Sequence, residues 1–173
     1  FDRLRYQDAP PNCWGSALAL PFRDDSFATV LASQVLEHVP EPAIMLAEIV
    51  RVLEPGGHLI LTAPHIWGIH EPPNDYFRFT SYGLDYLARR AGLQTLECSA
   101  MAGYWVTVGV RFCYYLCRFE KAGLVPVRLL YLPVQLVAWG LDHLHRVESD
   151  AWNFLLVARK EATNIAADRS VCS

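Results

Sequence analysis

Residues 20–64 read LPFRDDSFATVLASQVLEHVPEPAIMLAEIVRVLEPGGHLILTAP. Two runs in this segment, Phe27 to Ser33 and His58 to Ala63, are short, nearly continuous apolar stretches rich in β-forming residues, which is typical of strands covered on both faces of a parallel sheet. Between them, apolar residues recur at three- and four-residue spacing and predict one helical stripe. These are Met45, Leu46, Ile49, Val50, Val52 and Leu53. The segment therefore predicts a strand, a helix that packs on the sheet, and a second strand parallel to the first.

The two ends of this helix carry informative residues. Pro42 suits the first helical turn, and the Pro55-Gly56-Gly57 triplet is expected to end the helix and lead into the second strand. A glycine loop that cradles a phosphate follows a strand and opens a helix, which is the reverse order. We therefore interpret these glycines as a turn and not as a nucleotide-binding loop.

Several motifs together resemble one enzyme family. LPFRDDSF, VLEHVPEP, EIVRVLEPGG and LTAP, in this order and spacing, resemble the class I methyltransferases that use S-adenosylmethionine, in particular the type 11 group. The similarity continues through EPPNDYFRFTSYGLDYLARRAGL and returns at the last predicted strand. It implies a Rossmann-like α/β fold, with a mostly parallel sheet and an antiparallel last strand, and S-adenosyl-L-methionine as the cofactor.

The resemblance also implies a part that the sequence lacks. In the family, a first strand and a glycine-rich turn precede the segments quoted above, but no G-x-G-x-G occurs here and the chain begins at Phe1 without an initiator Met. We therefore expect an N-terminally truncated domain without the first strand. It is predicted to cover residues 1–160, and the polar, small-residue-rich residues 161–173 are predicted to be a disordered tail.

Composition narrows the class of protein. The 173 residues are 53% hydrophobic and 12% aromatic, which suits one globular domain with a core. A net charge of -3 and a pI near 6.1 disfavour nucleic acid as a partner, because its binders usually carry clustered Lys and Arg. Five cysteines, an odd number without a CxxC pair, predict neither a disulfide framework nor a zinc knuckle and favour the cytoplasm.

The end of the first quoted strand is expected to face the ligand crevice. Ser33 and Gln34 end that strand, and in an open α/β sheet ligands bind at the carboxyl ends of the strands, so both are candidate contacts of the methyl donor. Glu37 and His38 follow. Glu37 either faces the donor or caps the helix after Pro40, while His38 is a candidate catalytic base or simply hydrogen-bonds a loop carbonyl.

The N-terminal residues are expected to complete the cofactor site. Short strands are predicted around Leu4 to Tyr6 and Cys13 to Ser16, separated by a Pro-rich turn. The resemblance places the ribose hydroxyls on Asp8, unless this is an ordinary turn aspartate before Pro10. It places the adenine ring beside three residues that the family position matches: Ser16, Ala17 and Leu18. Ser16 stands where the family usually has an aspartate, and Ala28 also replaces an acid, so both positions depart from the pattern.

Residues 65–80, HIWGIHEPPNDYFRFT, are the most site-like segment. They follow a central strand, where loops on a rigid scaffold usually carry recognition, and we interpret them as a substrate lid. Asp75 and Tyr76 are, with His38, the candidate catalytic residues, and His65, His70 and Arg78 are candidate substrate contacts. A metal site from the histidines and acids of this loop matches no ligand spacing, so no metal is predicted.

The remaining sequence predicts one more helix and two strands. Thr80 is the expected cap of a helix that buries Leu84, Leu87, Ala88 and Ala91 and ends at Gly92. The segment from Leu93 to Ser99 is the next predicted strand. The resembled fold implies that the last strand, Asn153 to Arg159, runs antiparallel beside it.

Residues 100–150 are predicted to form a hydrophobic helical insertion between these strands. Its apolar runs are broken by Arg111, Arg118, Arg128 and Asp142, so a membrane-spanning helix of ~20 apolar residues is not predicted. Packing back onto the domain, a cap over a lipid-like substrate, a homodimer surface and peripheral membrane contact through residues 104–145 all remain open.

The family resemblance implies a methyltransferase with in-line transfer from S-adenosylmethionine, and the resemblance to one subgroup implies a small or lipid- or glycan-linked metabolite as its substrate. The alternative is a non-catalytic protein with the same fold that binds a partner or a membrane surface. A Rossmann-type dehydrogenase ranks third. The predicted location is the cytoplasm, with or without membrane association.

Overall fold

The computed structural model describes residues 12–120 and 127–162. In these ranges the chain forms four strands and four α-helices: β1 (Phe27–Ser33), α1 (Pro42–Val52), β2 (Leu53–Pro64), α2 (Ser81–Arg90), β3 (Leu93–Ala100), α3 (Tyr104–Glu120), α4 (Tyr131–Leu144) and β4 (Asn153–Lys160). Three short 3-10 turns join them, at Leu36–His38, Val127–Leu130 and Glu148–Asp150. The predicted strand at Leu4 to Tyr6, the candidate Asp8 and most of the predicted tail lie outside the described residues.

The strand order is β1-β2-β4-β3. β1 and β2 are parallel neighbours, with Val30 opposite Leu59 and Leu31 opposite Ile60, as the sequence predicts. β4 lies between β2 and β3 and runs antiparallel to both. A mostly parallel sheet with an antiparallel last strand is therefore confirmed within the described residues.

Helix α1 begins at Pro42, as predicted, but ends before the Pro-Gly-Gly triplet. Val52 is its last residue, and β2 starts at Leu53. The triplet instead forms an irregularity in the β1–β2 ladder, where pairing jumps from Leu53 to His58. Gly56 has φ +81°, which favours glycine, and a Cβ on Gly57 would lie 2.9 Å from the Glu54 carbonyl oxygen.

The core is one cluster between the sheet and its helices. Helix α1 buries the predicted stripe through Met45, Leu46, Ile49 and Val52. Thr80 caps α2 as predicted, since its side chain accepts a hydrogen bond from the Gly83 amide. Gly92, with φ +87°, follows the end of α2 and allows the chain to enter β3 directly.

The predicted strand around Cys13 to Ser16 is wrong. Cys13 and Trp14 lie on the surface, and the backbone makes only an isolated bridge between Ser16 and Ala19. The amide of Ala19 donates to the Ser16 carbonyl at 3.1 Å, so the segment is a tight turn.

The hydrophobic insertion is helical, as predicted, and consists mainly of α3 and α4. We call Tyr104–Glu120 together with Val127–Leu144 the hairpin. Asp142 of α4 is buried and caps α3, because its carboxylate accepts hydrogen bonds from the amides of Gly103 and Trp105 at 2.9 and 3.1 Å. Within the described ranges, none of the helices has the length and apolar character needed to cross a membrane.

Candidate active site

The carboxyl ends of β1 and β2 meet the amino end of β4 at one edge of the sheet, and polar side chains join the three strands there. The hydroxyls of Ser33 and Thr62 lie 3.0 Å apart. The Gln34 side-chain amide donates to Thr62 Oγ1 and to Asn153 Oδ1, both at 3.0 Å. The predicted cofactor contacts Ser33 and Gln34 therefore belong to one polar network at the edge where α/β sheets bind ligands.

Gln34 has an unusual backbone conformation. Its φ is +54°, in the left-handed region that most residues with a side chain avoid. Its amide donates to the Thr62 carbonyl at 3.0 Å, so the neighbouring strand fixes this conformation. Such backbone geometry clusters at ligand sites, and here it turns the chain from the end of β1 into the 3-10 turn at Leu36–His38.

Glu37 in that turn is completely buried, with 0% of the residue exposed. Neither carboxylate oxygen has a hydrogen-bond partner among the described residues, so Glu37 does not cap α1. Burial raises the pKa of Glu37 above its ordinary value, and its own backbone amide and the neighbours His38, His70 and Arg78 oppose that rise only in part. A buried carboxyl without a partner is costly for folding, which points to a role in binding or catalysis.

His38 stands next to this carboxylate in a defined orientation. Its Nδ1 lies 2.6 Å from the Asn74 carbonyl oxygen, which can only accept, so Nδ1 carries the proton. The other nitrogen, Nε2, lies 3.8 Å from Glu37 Oε1. In the neutral ring Nε2 therefore has the lone pair. The loop-carbonyl contact weighed from the sequence is present, and it orients the ring.

The loop between β2 and α2 is pinned over this turn. The amides of Tyr76 and Phe77 both donate to the Glu37 carbonyl oxygen, at 2.9 and 3.3 Å. The rings of His38 and His70 meet edge to face with centroids 4.7 Å apart. The structure thus brings the predicted residues His38, His70 and Tyr76 together around Glu37.

Asp75 and Arg78 hold the loop together. Arg78 Nη1 lies 2.6 Å from Asp75 Oδ1, and Arg78 Nη2 lies 2.8 Å from Asp75 Oδ2. The hydrogen bonds from Arg78 hold the pKa of Asp75 well below its usual range. Because its side chain is only 2% exposed and ionised at neutral pH, Asp75 is a poor proton acceptor, and the structure favours a structural role over the predicted catalytic one.

The predicted substrate clamp at Arg78 is likewise occupied by the protein. Besides Asp75, its guanidinium donates to the carbonyl oxygens of Trp67, Phe77 and Gly68 at 3.1, 2.7 and 2.7 Å. These contacts use all five guanidinium donors. Arg78 therefore fixes the conformation of the loop instead of reaching for an anionic acceptor.

The other predicted site residues lie in different surroundings. Tyr76 is 46% exposed, and its hydroxyl donates to Asn74 Oδ1 at 3.2 Å, so it remains available to a substrate. His65 is outside the histidine pair and lies against Phe154, with ring centroids 5.4 Å apart. Its amide donates to the Trp152 carbonyl, which joins the start of the loop to the residues before β4.

The predicted adenine contacts form the tight turn described above. Ala17 is buried and Leu18 packs against the core, while the exposed Ser16 uses its hydroxyl to accept from the Leu18 amide at 3.2 Å. The turn thus offers apolar surface but no carboxylate. An adenine ring placed here would be held by packing and by backbone groups, because Ser16 stands where the resembled family usually has an aspartate.

Among the described residues, Glu37, His38 and His70 could hold a metal ion, since one ligand atom from each lies within 4.8 Å of the others. Two ligands of a tetrahedral ion with bonds of about 2.1 Å stand only about 3.4 Å apart. Glu37 Oε1 and His38 Nε2 lie 3.8 Å apart, so these two groups would have to approach slightly to share an ion. This set also differs from the histidines and acids weighed within the loop alone.

Sequence reasoning missed two parts of this site. Thr62 and Asn153 complete the polar network, and their only signal was their position at strand ends that meet at one edge. Glu37 was considered as a group that faces the donor or caps the helix after Pro40, and its burial was not predicted. An acid that follows an apolar strand sequence without a nearby Lys or Arg is the signal that could have identified it.

Comparison with known proteins agrees with this fold. Residues 3–61, about a third of the chain, match the family described as a methyltransferase domain. The chain has the class I methyltransferase fold. An uncharacterized methyltransferase from Mycobacterium marinum is 40% identical over 81 residues, which are 44% of this chain and 31% of that protein. The chain therefore spans about a third of that relative's length.

Two solved structures share the methyltransferase-like fold. The [4+2]-cyclase SpnF superposes with a TM-score of 0.54 at 23% identity, covering 86% of this chain and 54% of the cyclase. A phosphoethanolamine N-methyltransferase 2 from Haemonchus contortus, solved with S-adenosyl-L-methionine, gives a TM-score of 0.50 at 16% identity, covering 85% of this chain and 36% of that one. At these identities the likeness concerns the fold alone.

Proposed function

We propose that the protein is an S-adenosylmethionine-dependent methyltransferase whose acceptor binds at Glu37 and His38, under the loop of residues 65–80. The observation that carries this proposal is the buried, unpartnered carboxylate of Glu37 beside an oriented His38. Both stand at the carboxyl edge of a class I methyltransferase sheet, where the fold binds its ligands.

The described residues fit the proposed cofactor in part. Ser33 and Gln34 would hold its polar methionine part at the network that joins β1, β2 and β4. Ala17 and Leu18 offer the apolar surface for the adenine ring, and Asp8, outside the described residues, is the proposed ribose contact. When bound, S-adenosylmethionine supplies an electrophilic methyl group.

His38 is the proposed base. Its Nδ1 proton is held by the Asn74 carbonyl, so the Nε2 lone pair is free to accept the proton that the acceptor loses when it is methylated. Glu37 Oε1, 3.8 Å away, would stabilise the resulting imidazolium by charge. General-base catalysis of this kind contributes about 10²–10⁴-fold, and alignment and exclusion of water by the loop would supply a further part.

The proposed acceptor is a small or lipid- or glycan-linked metabolite with a hydroxyl or amine. An acceptor that loses a proton needs a base, and His38 is such a group. Anionic acceptors are disfavoured, because Arg78 is fully engaged by the loop and the nearest uncommitted charge is the Glu37 carboxylate. Tyr76, half exposed at the rim, is the proposed polar contact of the acceptor, and its hydroxyl oxygen can accept a hydrogen bond because its proton is donated to Asn74 Oδ1.

A non-catalytic role is the second candidate. Ser16 provides no carboxylate for the adenine amino group and satisfies the Leu18 amide itself, and the cyclase match illustrates that a fold of this type does not fix one reaction. In this case the protein would bind S-adenosylmethionine weakly or not at all, and substitution of His38 would have no functional consequence.

The deciding experiment measures S-adenosylhomocysteine release by the intact protein with panels of hydroxyl- and amine-bearing small molecules and lipid-linked glycans. We expect turnover with one class, with loss of kcat in His38→Ala and little change in the control His145→Ala, whose exposed ring lies at the end of α4. Equal turnover in both variants contradicts the proposed base. Cofactor binding without turnover on any class favours the non-catalytic candidate.

A further inference from the structure

We propose that the hairpin docks on the surface of an anionic lipid bilayer. Its outer side exposes an unusual number of large apolar side chains: Val108, Phe112, Tyr114, Tyr115, Phe119, Leu129, Leu130, Leu132, Leu136, Val137, Trp139, Leu141 and Leu144. Leu132 and Leu136 of α4 are 69% and 58% exposed. Exposed large apolar side chains in this number are typical of an interaction surface.

The two helices of the hairpin already pack against each other. Gly109 lets the helices approach closely, since a Cβ there would lie 2.6 Å from the Ala138 Cβ. Asp142 caps α3 from α4, and the Cys113 sulfur accepts from the Gln135 amide at 3.4 Å. The contacts between the two helices are thus already formed, and an apolar groove lined by Val108, Phe112, Leu130, Val137 and Leu141 stays open beside them.

Positive charges outnumber negative charges in this part of the chain. Residues 104–145 contain four Lys or Arg and two Asp or Glu, and one of the two acids, Asp142, is buried as the cap of α3. Arg111, Arg118 and Arg128 are exposed on the described part of the hairpin. Arginines among apolar side chains suit anionic headgroups, because their stems lie along the apolar surface while the guanidinium reaches the phosphate layer.

Aromatic side chains support the same partner. Tyr114, Tyr115 and Trp139 are each more than half exposed, and the Arg118 guanidinium lies 5.6 Å from the Tyr115 ring centre. Tyr and Trp favour the level of the headgroups, where one part of the ring is apolar and another is wet. A second copy of this chain would instead bring the same arginines together, which is unfavourable.

The hairpin also contacts the candidate active site. Tyr114 of α3 meets Trp67 of the loop edge to face, with ring centroids 5.0 Å apart. Docking of the hairpin would therefore hold the loop near the bilayer surface, where a lipid-linked acceptor would be found. The lipid surface itself is inferred from the hairpin alone and does not depend on the proposed methyl transfer.

Sedimentation of the intact protein with vesicles tests the inference without an activity measurement. Each arginine near an anionic surface is worth about 1 kcal/mol, so three predict about a hundredfold preference for phosphatidylglycerol-containing over pure phosphatidylcholine vesicles at low salt. We expect this preference to fall with added salt and with the triple variant Arg111→Gln, Arg118→Gln, Arg128→Gln.

The apolar contribution is tested by Leu132→Asp combined with Leu136→Asp, which change exposed positions and leave the α3–α4 contact intact. We expect loss of vesicle binding, with none in the matched control Tyr82→Asp on α2, where the ring is 86% exposed. Equal binding to both vesicle types, or unchanged binding in the double variant, overturns the inference. A wild-type dimer in ultracentrifugation that the double variant abolishes, without vesicle binding, overturns it in favour of self-association.

Discussion

The carboxylate of Glu37 lies 3.8 Å from Nε2 of His38, while the opposite nitrogen of that ring is fixed by the Asn74 carbonyl at 2.6 Å. Two neighbouring residues thus place a carboxylate beside a basic nitrogen, and the loop fixes the orientation of the imidazole ring. The carboxylate is buried and has no hydrogen-bond partner among the described residues. Folding alone gives no reason to retain such a group, and this relationship is the basis of the functional account.

Replacement of His38 by Ala should reduce kcat by about 10²–10⁴-fold, because the group that accepts the acceptor proton is lost. The affinity for S-adenosylmethionine should change little, since the proposed cofactor contacts lie at Ser33 and Gln34. Kinetics of S-adenosylhomocysteine release, with calorimetry of cofactor binding, measure the two effects separately. A loss of affinity without a loss of kcat would place His38 in the cofactor site instead.

Glu37→Gln should change the pH dependence of stability. Burial raises the pKa of Glu37 above its ordinary value of 4.5, so its contribution to stability is full at low pH and is lost as pH rises through the raised pKa. Gln cannot ionise, and the variant should therefore gain stability relative to the wild type as pH rises over the range above the ordinary pKa of 4.5. Thermal unfolding at several pH values checks this, with the exposed Glu54→Gln as control. A constant difference across this range contradicts the assignment.

Asp75→Asn should destabilise the protein by about 2–4 kcal/mol at neutral pH, because it leaves the partly buried Arg78 without its charged partner. The pKa of Asp75 lies below its unfolded value, so its contribution is present above the unfolded pKa and lost as pH falls. The difference from the wild type should shrink in acid.

Asp85→Asn is the matched control, since Asp85 pairs with Arg89 on the surface of α2 and exposed pairs contribute little, about 0.2–1 kcal/mol. Urea unfolding of both variants at neutral and acidic pH gives the comparison. Equal effects of the two substitutions would remove the special role of the loop pair.

Asp142→Ala should destabilise the hairpin by about 1–2 kcal/mol, because the first amides of α3 lose their acceptor. Gly103→Ala should have an effect of the same sign, since a Cβ there would lie 2.5 Å from Asp142 Oδ1. Thermal unfolding followed by circular dichroism measures both, with the exposed Glu54→Ala as a control outside the hairpin. Full stability of both variants would show that the cap contributes nothing.

The fold was largely predictable where the spacing of apolar residues agrees with the capping and turn residues at the ends of helices and strands. The β1–α1–β2 unit, the Thr80 cap and the antiparallel β4 are present as expected. Part of the resembled pattern is structural: Arg51 donates to Glu48, to Asp24 and to the Leu20 and Phe22 carbonyls. This network ties LPFRDD to α1. The strand at Cys13 to Ser16 failed because local β-propensity does not supply a pairing partner.

The location of the candidate site was predictable from the sequence, but the roles of its residues were only partly predictable. Strand ends and the loop identified the region, because topology decides which edges meet. Sequence could not show that the Arg78 guanidinium donates to Asp75 and to loop carbonyls. These contacts give Asp75 and Arg78 a structural role instead of a catalytic or substrate-binding one. Nor could sequence show that Glu37 is buried without a partner. Such roles depend on side-chain distances, which spacing along the chain does not contain.

The central claim is that the sheet edge at Ser33 and Gln34 binds S-adenosylmethionine. Calorimetric titration of the intact protein with this compound tests it most directly, with Ser33→Trp to obstruct the edge and Ser26→Trp, directly before the amino end of β1, as control. The account predicts one bound molecule per chain, affinity weakened about tenfold or more by Ser33→Trp, and no change in the control. Absence of binding to the wild-type protein, or equal affinity in both variants, would contradict it.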